Sequence, residues 1–257
     1  MNKKPRKPKI EATHSLAGVF GFHAVTSLIR HRAKHIAYIW VQQGRDDARM
    51  QELVEAAQAA NIKIEVQPRE TLDRETDGVH QGVVAWVHPR QAGSETDLEQ
   101  LLEKAEKPPL LLVLDGVTDP HNLGACLRSA DAAGAAAVIV PRDKSAGLSP
   151  TVRKVACGAA EVLPLIQVTN LSRTLRSLRD YGVWVLGTAG EAEQLIYQVD
   201  LTRSVALVMG AEGRGMRRLT REHCDELVRL PMAGEVSSLN VSVASGIALY
   251  EAVRQRL

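Results

Sequence analysis

The feature that most limits how this chain can fold is a short apolar run that ends in glycines. Residues Val205–Met209 are all apolar, and Gly210, Gly213 and Gly215 follow them. An apolar run without polar alternation is typical of a strand buried on both faces. Glycine permits tight turns and close backbone approach. The segment is therefore predicted to be a buried strand that opens into a ligand-binding loop.

The glycine spacing and the residues that follow narrow the kind of ligand. The order G-x-x-G-x-G differs from the G-x-G-x-x-G of a dinucleotide-binding turn, so no nicotinamide site is predicted. A further strand is predicted at Glu226–Leu230, ended by Pro231, which cannot donate a ladder hydrogen bond. Residues 237–240, Ser-Ser-Leu-Asn, precede a helix predicted at Val241–Arg254, and their side chains can cap it or hold a ligand.

An upstream segment predicts the type of sheet. An apolar strand at Leu110–Leu114 is followed by a polar loop, a helix at Leu123–Ala133 and a strand at Ala136–Val140. Such a βαβ unit implies an α/β fold with a parallel sheet. Ligand-binding groups gather at the carboxyl ends of parallel strands, where Asn122 lies, and Arg128 follows six residues later.

The chain is predicted to have four parts. Residues 1–15 hold five basic residues and no acid before position 11, which is typical of a disordered tail that solubilises the protein or tethers RNA. Residues 16–88 alternate strand and helix patterns and predict a small three-layer α/β domain. Residues 89–109 begin polar, are charged and weakly helical from Asp97 to Lys107, and end in two prolines, which indicates a linker. Residues 110–257 form the larger domain.

Composition excludes several classes of protein. The length of 257 residues and the 45% apolar content suffice for two cores. No apolar run is long enough to cross a bilayer and no secretory pattern opens the sequence, so a cytoplasmic protein without membrane contact is expected. Cys126, Cys157 and Cys224 are scattered, which indicates neither a disulfide framework nor a zinc site. All three are expected to be buried as small hydrophobic residues.

Three segments together resemble the motifs of the SpoU/TrmH family of RNA ribose 2′-O-methyltransferases. They are LDGVTDPHNLGACLRSADAAGA, MGAEGRGM and LPMAGEVSSLNVSVASGIALYE, and they occur in the family's order. The resemblance covers nearly the whole chain after the tail and is greatest to bacterial enzymes that methylate a guanosine of 23S ribosomal RNA, in the peptidyl transferase region. It implies a SPOUT-type parallel sheet with a C-terminal trefoil knot. It also implies that residues 16–88 form a ribosomal-protein-like, RNA-binding domain.

The resemblance implies S-adenosylmethionine as the cofactor and no metal. The implied pocket is formed by Gly210, Leu230 and Leu239, with Met232 and Ser237 as further candidates. Plain core packing is the alternative explanation for the two leucines.

The resemblance also implies a set of polar residues for catalysis and substrate handling: Asn122, Arg128, Glu212, Ser238 and Asn240. A guanidinium does not readily lose a proton near neutral pH. We therefore expect Arg128 to bind a phosphate and stabilise developing alkoxide charge rather than act as the base. Asn122 could alternatively be a helix cap. A basic cluster follows the glycine loop, as a solvated face or as an RNA phosphate contact: Arg214, Arg217, Arg218 and Arg221.

Two other functions compete with methylation of 23S ribosomal RNA or its ribosomal precursor. One is 2′-O-methylation of transfer RNA by an enzyme of the same family. The other is a non-catalytic RNA-binding or ribosome-assembly protein that keeps the fold. Family members are homodimers with sites near the subunit boundary, so a homodimer formed by the large domain is expected.

Overall fold

The computed structural model describes residues 16–76 and 78–257. The chain separates into two compact units, the first ending at Arg90 and the second spanning Gln91–Leu257. The basic tail predicted at residues 1–15 lies outside the described residues. Each helix in the described ranges is too short or too polar to cross a lipid bilayer.

The first unit is a small α/β unit built on a four-stranded mixed sheet. The sheet order is β1-β4-β2-β3, in which β2 and β3 are parallel and β4 runs antiparallel to both β1 and β2. In chain order its elements are β1 (Ala17–Phe20), α1 (Phe22–Arg32), β2 (Ile36–Gln42), α2 (Ala48–Ala59), β3 (Ile64–Gln67), α3 (Arg69–Glu75) and β4 (Val83–Val87).

The second unit is built on a seven-stranded sheet with the order β7-β6-β5-β10-β8-β11-β9. Every neighbouring pair in it is parallel, as the βαβ pattern predicts. Its elements are α4 (Glu95–Glu103), β5 (Leu110–Asp115), α5 (Pro120–Ala132), β6 (Ala137–Pro141), α6 (Pro150–Ala156), α7 (Ala159–Val162), β7 (Leu165–Val168), α8 (Leu171–Asp180), β8 (Trp184–Thr188), β9 (Gln194–Leu195), β10 (Val205–Gly210), α9 (Arg218–Glu222), β11 (Glu226–Arg229) and α10 (Val241–Arg256).

Helices cover both faces of this sheet, which explains the uninterrupted apolar strands. Along β5, Leu112 packs in one core cluster together with Leu127 of α5 and Leu249 of α10. Its neighbour Val113 packs in a second cluster with Leu175 of α8. Because successive side chains of a strand point to opposite faces, both faces need apolar residues. The α/β class is confirmed, and the trefoil knot stays a prediction.

The segment predicted as a linker, residues 89–109, contains regular structure of the second unit. Gly93 forms a parallel bridge with Ile166 of β7. Helix α4 begins with a capping box between Ser94 and Asp97, and Leu98 is 4% exposed in the core. Most of this segment therefore packs on the sheet instead of serving as a free spacer.

Candidate active site

A cleft of about 660 Å³ lies at the carboxyl ends of β8, β10 and β11. All five residues predicted to hold the cofactor line it: Gly210, Leu230, Met232, Ser237 and Leu239. Three of the predicted catalytic residues line it too: Glu212, Ser238 and Asn240. The sheet thus brings the second and third sequence motifs to one place.

The glycine loop after β10 turns back on itself tightly. Ala211 and Gly215 are joined by two backbone hydrogen bonds of 3.2 and 2.9 Å. A Cβ atom at Gly210 would overlap the carbonyl carbon of Gly215 and the amide nitrogen of Met216. Gly213 has a φ of +72° and Gly215 of +65°, which side chains rarely adopt. Glycine at these positions is therefore required by the loop itself.

Asn122, Glu212 and Asn240 form one hydrogen-bonded group. Asn122 Nδ2 donates to Glu212 Oε1 at 3.1 Å, and Asn240 Nδ2 donates to Glu212 Oε1 at 2.6 Å and to Asn122 Oδ1 at 2.9 Å. The backbone N–H of Val241 also donates to Glu212 Oε1, at 3.4 Å. No described residue makes a hydrogen bond to Glu212 Oε2. The group therefore joins all three motifs through Glu212 Oε1.

Of the two asparagines in this group, Asn240 caps a helix and Asn122 does not. The cap of α5 is Asp119, whose Oδ1 accepts from the backbone N–H of His121 at 2.9 Å. Asn122, 9% exposed, is inside that helix and is not its cap. Asn240 does cap α10, since its Oδ1 accepts from the backbone N–H of Ser242 at 2.9 Å. Its Nδ2 donates to Glu212 Oε1, so the Asn240 side chain both caps α10 and belongs to the hydrogen-bonded group.

Asn122 does not line the cleft itself but bonds Glu212 and Asn240, which do, whereas Arg128 neither lines the cleft nor joins this group. It is exposed, and its Nη1 donates to Cys157 Sγ at 3.4 Å. Six residues of α-helix separate it from Asn122, which places it about 240° around the axis and about 9 Å along it. Arg128 therefore lies away from the Asn122 face of α5.

Burial differs among the three cysteines. Cys126 is buried, and burial raises the pKa of its thiol to about 11. Cys224 is partly buried, and burial raises the pKa of its thiol to about 12. Cys157 is exposed, so the prediction that all three are buried is wrong for Cys157. Its φ of +50° turns the backbone at the end of α6, which brings its side chain to the surface.

The sequence pattern missed a buried carboxylate that holds the glycine loop. Asp115 ends β5, pairs in register with Gly210 and is 1% exposed. It accepts the backbone N–H of Arg217 at 2.8 Å and the Nε of the same residue at 2.6 Å. The sequence signal for this contact is that Asp115, a charged residue, directly follows the apolar run Leu110–Leu114.

Two family models match the chain. Residues 109–250 match the SpoU rRNA Methylase family, and residues 19–92 match the model described as RNA 2′-O ribose methyltransferase substrate binding. The first match alone covers more than half of the chain.

The chain belongs to the SpoU rRNA methylase family.

Similar proteins within the SpoU family have curated names. The 23S rRNA (guanosine-2′-O-)-methyltransferase RlmB of Pseudomonas syringae pv. tomato is 63% identical over 94% of this chain and 96% of its own length. The protein of the same name from Haemophilus influenzae is 59% identical over 93% and 98%. A solved structure of the SpoU methyltransferase AviRb from Streptomyces viridochromogenes, in complex with the cofactor AdoMet, is 26% identical. It superposes with a TM-score of 0.69 over 94% of this chain and 91% of its own.

The cleft of this SpoU chain has the chemistry needed for an adenosine-containing sulfonium. Leu230, Leu239 and Ala244 provide an apolar wall, and Thr188 and Ser237 add hydroxyls. The volume lies within the usual range for small-molecule sites. The Gly210 backbone has no side chain between it and a ligand. The residues present therefore fit S-adenosylmethionine.

Proposed function

We propose that this chain transfers a methyl group from S-adenosylmethionine to the 2′-hydroxyl of a guanosine in 23S ribosomal RNA. The observation that carries the proposal is the Asn122–Glu212–Asn240 group, which lies at the cleft lined by all five cofactor candidates. The curated names of relatives about 60% identical support the choice of substrate.

The chemistry of this proposal is mainly positioning. S-adenosylmethionine, when bound, would supply the methyl carbon for an in-line displacement in which S-adenosylhomocysteine leaves and the hydroxyl proton passes to water. The glycine loop and the apolar wall hold the nucleoside part by backbone contact and packing. Glu212 is fixed through Oε1, which leaves Oε2 to accept a hydrogen bond from a ribose hydroxyl. Fixing the hydroxyl in line with the methyl carbon lowers the barrier because the entropic cost is met on binding.

We propose that Arg128 acts at the site of a second copy of the chain. It lies away from the cleft of its own chain, although it belongs to the same motif as Asn122. Its guanidinium binds the phosphate next to the target ribose and stabilises the developing alkoxide. This arrangement requires the predicted homodimer of the large domain.

An apolar stripe on α10 supports the homodimer. Val243, Ile247 and Tyr250 follow one another at helical spacing on the side of α10 that does not enter the core. Val243 is 51% exposed and Tyr250 is 53% exposed. The stripe begins one turn from Asn240, so a second copy packed there would meet the site.

Subunit complementation tests the position of Arg128. Arg128→Ala should abolish methyl transfer from tritiated S-adenosylmethionine to a 23S rRNA transcript but should still bind the cofactor in calorimetry. Glu212→Ala should lower the transfer rate at least about 10-fold. After the two variants are unfolded and refolded together, about half of the dimers are mixed and each holds one intact site, so about a quarter of the activity should return. No return of activity would place Arg128 in the site of its own chain.

The same assay decides between the competing functions. Methylation of a transfer RNA transcript but not of 23S rRNA would favour the transfer RNA enzyme. Absence of cofactor binding would favour a non-catalytic RNA-binding or assembly protein.

We further propose that residues 16–88 bind the RNA. We also propose that the reaction takes place in the cytoplasm on 23S rRNA or its ribosomal precursor, and that the target lies in the peptidyl transferase region. Mapping of 2′-O-methyl groups in cellular RNA with and without the gene tests the last two points.

A further inference from the structure

A second cleft lies on the same carboxyl edge of the seven-stranded sheet, at the ends of β6 and β7. Its volume is about 580 Å³. The stretch from Gly210 to Arg217 connects the two clefts, because Gly210 lines the first and Arg217 lines the second. The second cleft is lined by three cationic side chains, Lys144, Arg217 and Arg218. It is lined by one carboxylate, that of Asp143.

Arg217 is held in one orientation by a carboxylate that is itself out of solvent. Asp115, with a fully buried side chain, binds the Nε and Nη2 of Arg217, while the Arg217 side chain remains 50% exposed. The other guanidinium N–H groups stay available, because a guanidinium has five donors. An arginine fixed in this way loses little side-chain entropy when it binds an anion.

Lys144 adds a charge that no described carboxylate neutralises. It is exposed and has a φ of +56°. The neighbouring Ser145 and Ala146 both bond the carbonyl of Val117, which fixes the loop that presents the lysine. Arg218 pairs with Glu222 at the surface, an i,i+4 pair that is weak enough to exchange for a stronger partner.

Uncharged donors complete the lining of this cleft. Thr169, Asn170 and Ser172 lie at the start of α8, next to the cations. Hydroxyls combined with an arginine fork and a lysine are the groups that bind phosphate oxygens in nucleic-acid complexes.

We propose that this second cleft binds a backbone phosphate of the RNA substrate, near the nucleotide presented to the cofactor cleft. The inference rests on the proposed function for the identity of the polyanion. Because Arg217 follows the glycine loop that lines the cofactor cleft, the RNA phosphate binds next to that loop.

The test measures RNA affinity as a function of salt, without methyl donor, by filter binding of a 23S rRNA fragment. Lys144→Asn removes the charge while asparagine tolerates the positive φ. It should weaken binding about 3- to 10-fold and lower the slope of log K against log salt by about 0.7. Arg217→Gln should act in the same direction. The control is Lys104→Asn, an exposed lysine at the end of α4 that lines neither cleft.

A further readout separates this inference from the proposed function. Cofactor affinity by calorimetry should be unchanged in Lys144→Asn, because Lys144 does not line the cofactor cleft. If Lys144→Asn has the same affinity and salt slope as the Lys104→Asn control, the second cleft does not bind phosphate, even when the wild-type chain methylates 23S rRNA. If the wild-type chain binds this RNA in a Lys144-dependent way but transfers no methyl group, the proposed function fails instead.

Discussion

Asn122 Nδ2 and Glu212 Oε1 lie 3.1 Å apart although 90 positions separate the two residues in the chain. The contact joins the first turn of α5 to the glycine loop after β10, and Asn240 closes the group from the cap of α10. A site made from three separate segments depends on the whole sheet being assembled.

Glu212 should be more important to the site than to the fold. Glu212→Ala leaves the Asn122 amide without its acceptor and should lower the free energy of unfolding by about 1–3 kcal/mol. Glu212→Gln keeps an acceptor and should cost less. Both should lower single-turnover methylation, by about 10- to 1000-fold. Urea denaturation and a tritium-transfer assay check this. The control is Glu106→Ala, which removes an exposed carboxylate that lines neither cleft. Equal activity of all three variants would contradict the role given to Glu212.

Gly210 should tolerate no side chain. A Cβ atom there would overlap backbone atoms of Gly215 and Met216, so Gly210→Ala should displace the loop and weaken cofactor binding by at least about 10-fold, which corresponds to about 1.4 kcal/mol. Gly234→Ala is the matched control, since no atom lies within 4 Å of its added Cβ and its φ is not positive. Calorimetry with S-adenosylmethionine measures both. Equal affinities for the two variants would refute the steric argument.

Cys157 should be the thiol whose modification affects the reaction. It is exposed and contacts Arg128, whereas burial raises the pKa of Cys126 to about 11 and of Cys224 to about 12, which keeps both protonated at neutral pH. Iodoacetamide at pH 8 should therefore label Cys157 first and lower methylation at subsaturating RNA. Cys157→Ser should remain active and resist inactivation, and peptide mass spectrometry identifies the labelled residue. Loss of activity in the treated serine variant would point to a different thiol.

Strongly alkaline solution should destabilise the second unit. A thiol whose pKa is raised on folding favours the folded state below its ordinary pKa near 9, and this contribution is lost as pH rises toward 11 to 12. Denaturant midpoints measured between pH 8 and 11 should fall above about pH 9. In Cys224→Ala the fall should be smaller, and an unchanged pH profile in that variant would exclude the thiol as a cause.

The proposed dimer should depend on the α10 stripe. Tyr250→Glu places a charge among apolar side chains, so it should raise the dimer dissociation constant by at least about 10-fold. Light scattering at micromolar concentration measures the mass. Arg254→Glu is unsuitable as a control because Arg254 pairs with Glu251. The control is Val66→Glu, at an exposed apolar position on β3 of the first unit. A Tyr250→Glu variant that stays dimeric would exclude the stripe as the interface.

The sequence predicts the second unit well because its elements have local signals. Uninterrupted apolar strands such as Val205–Met209 and the capping residue Asn240 determine where elements begin and end, and these predictions agree with the structure within a few residues. The parallel sheet follows from the βαβ order.

Long-range contacts are the part that local patterns do not predict. Nothing in the spacing places Asp115 against Arg217, 102 positions away, or turns Arg128 toward Cys157. The exposure of Cys157 depends on a left-handed backbone conformation, which is unusual for cysteine. The linker prediction overlooked the Ser94–Asp97 capping box because the segment's polarity resembles that of a spacer.

The cap of α10 has a consequence for how this protein acquires activity during synthesis. A chain ended before Asn240 keeps every strand of the seven-stranded sheet and the glycine loop, yet Glu212 Oε1 then loses both Asn240 Nδ2 and the N–H of Val241. Since Asn240, Val241 and Ala244 also line the cleft, a nascent polypeptide completes both the cleft and the hydrogen bonds of Glu212 only after α10 has been synthesised and packed.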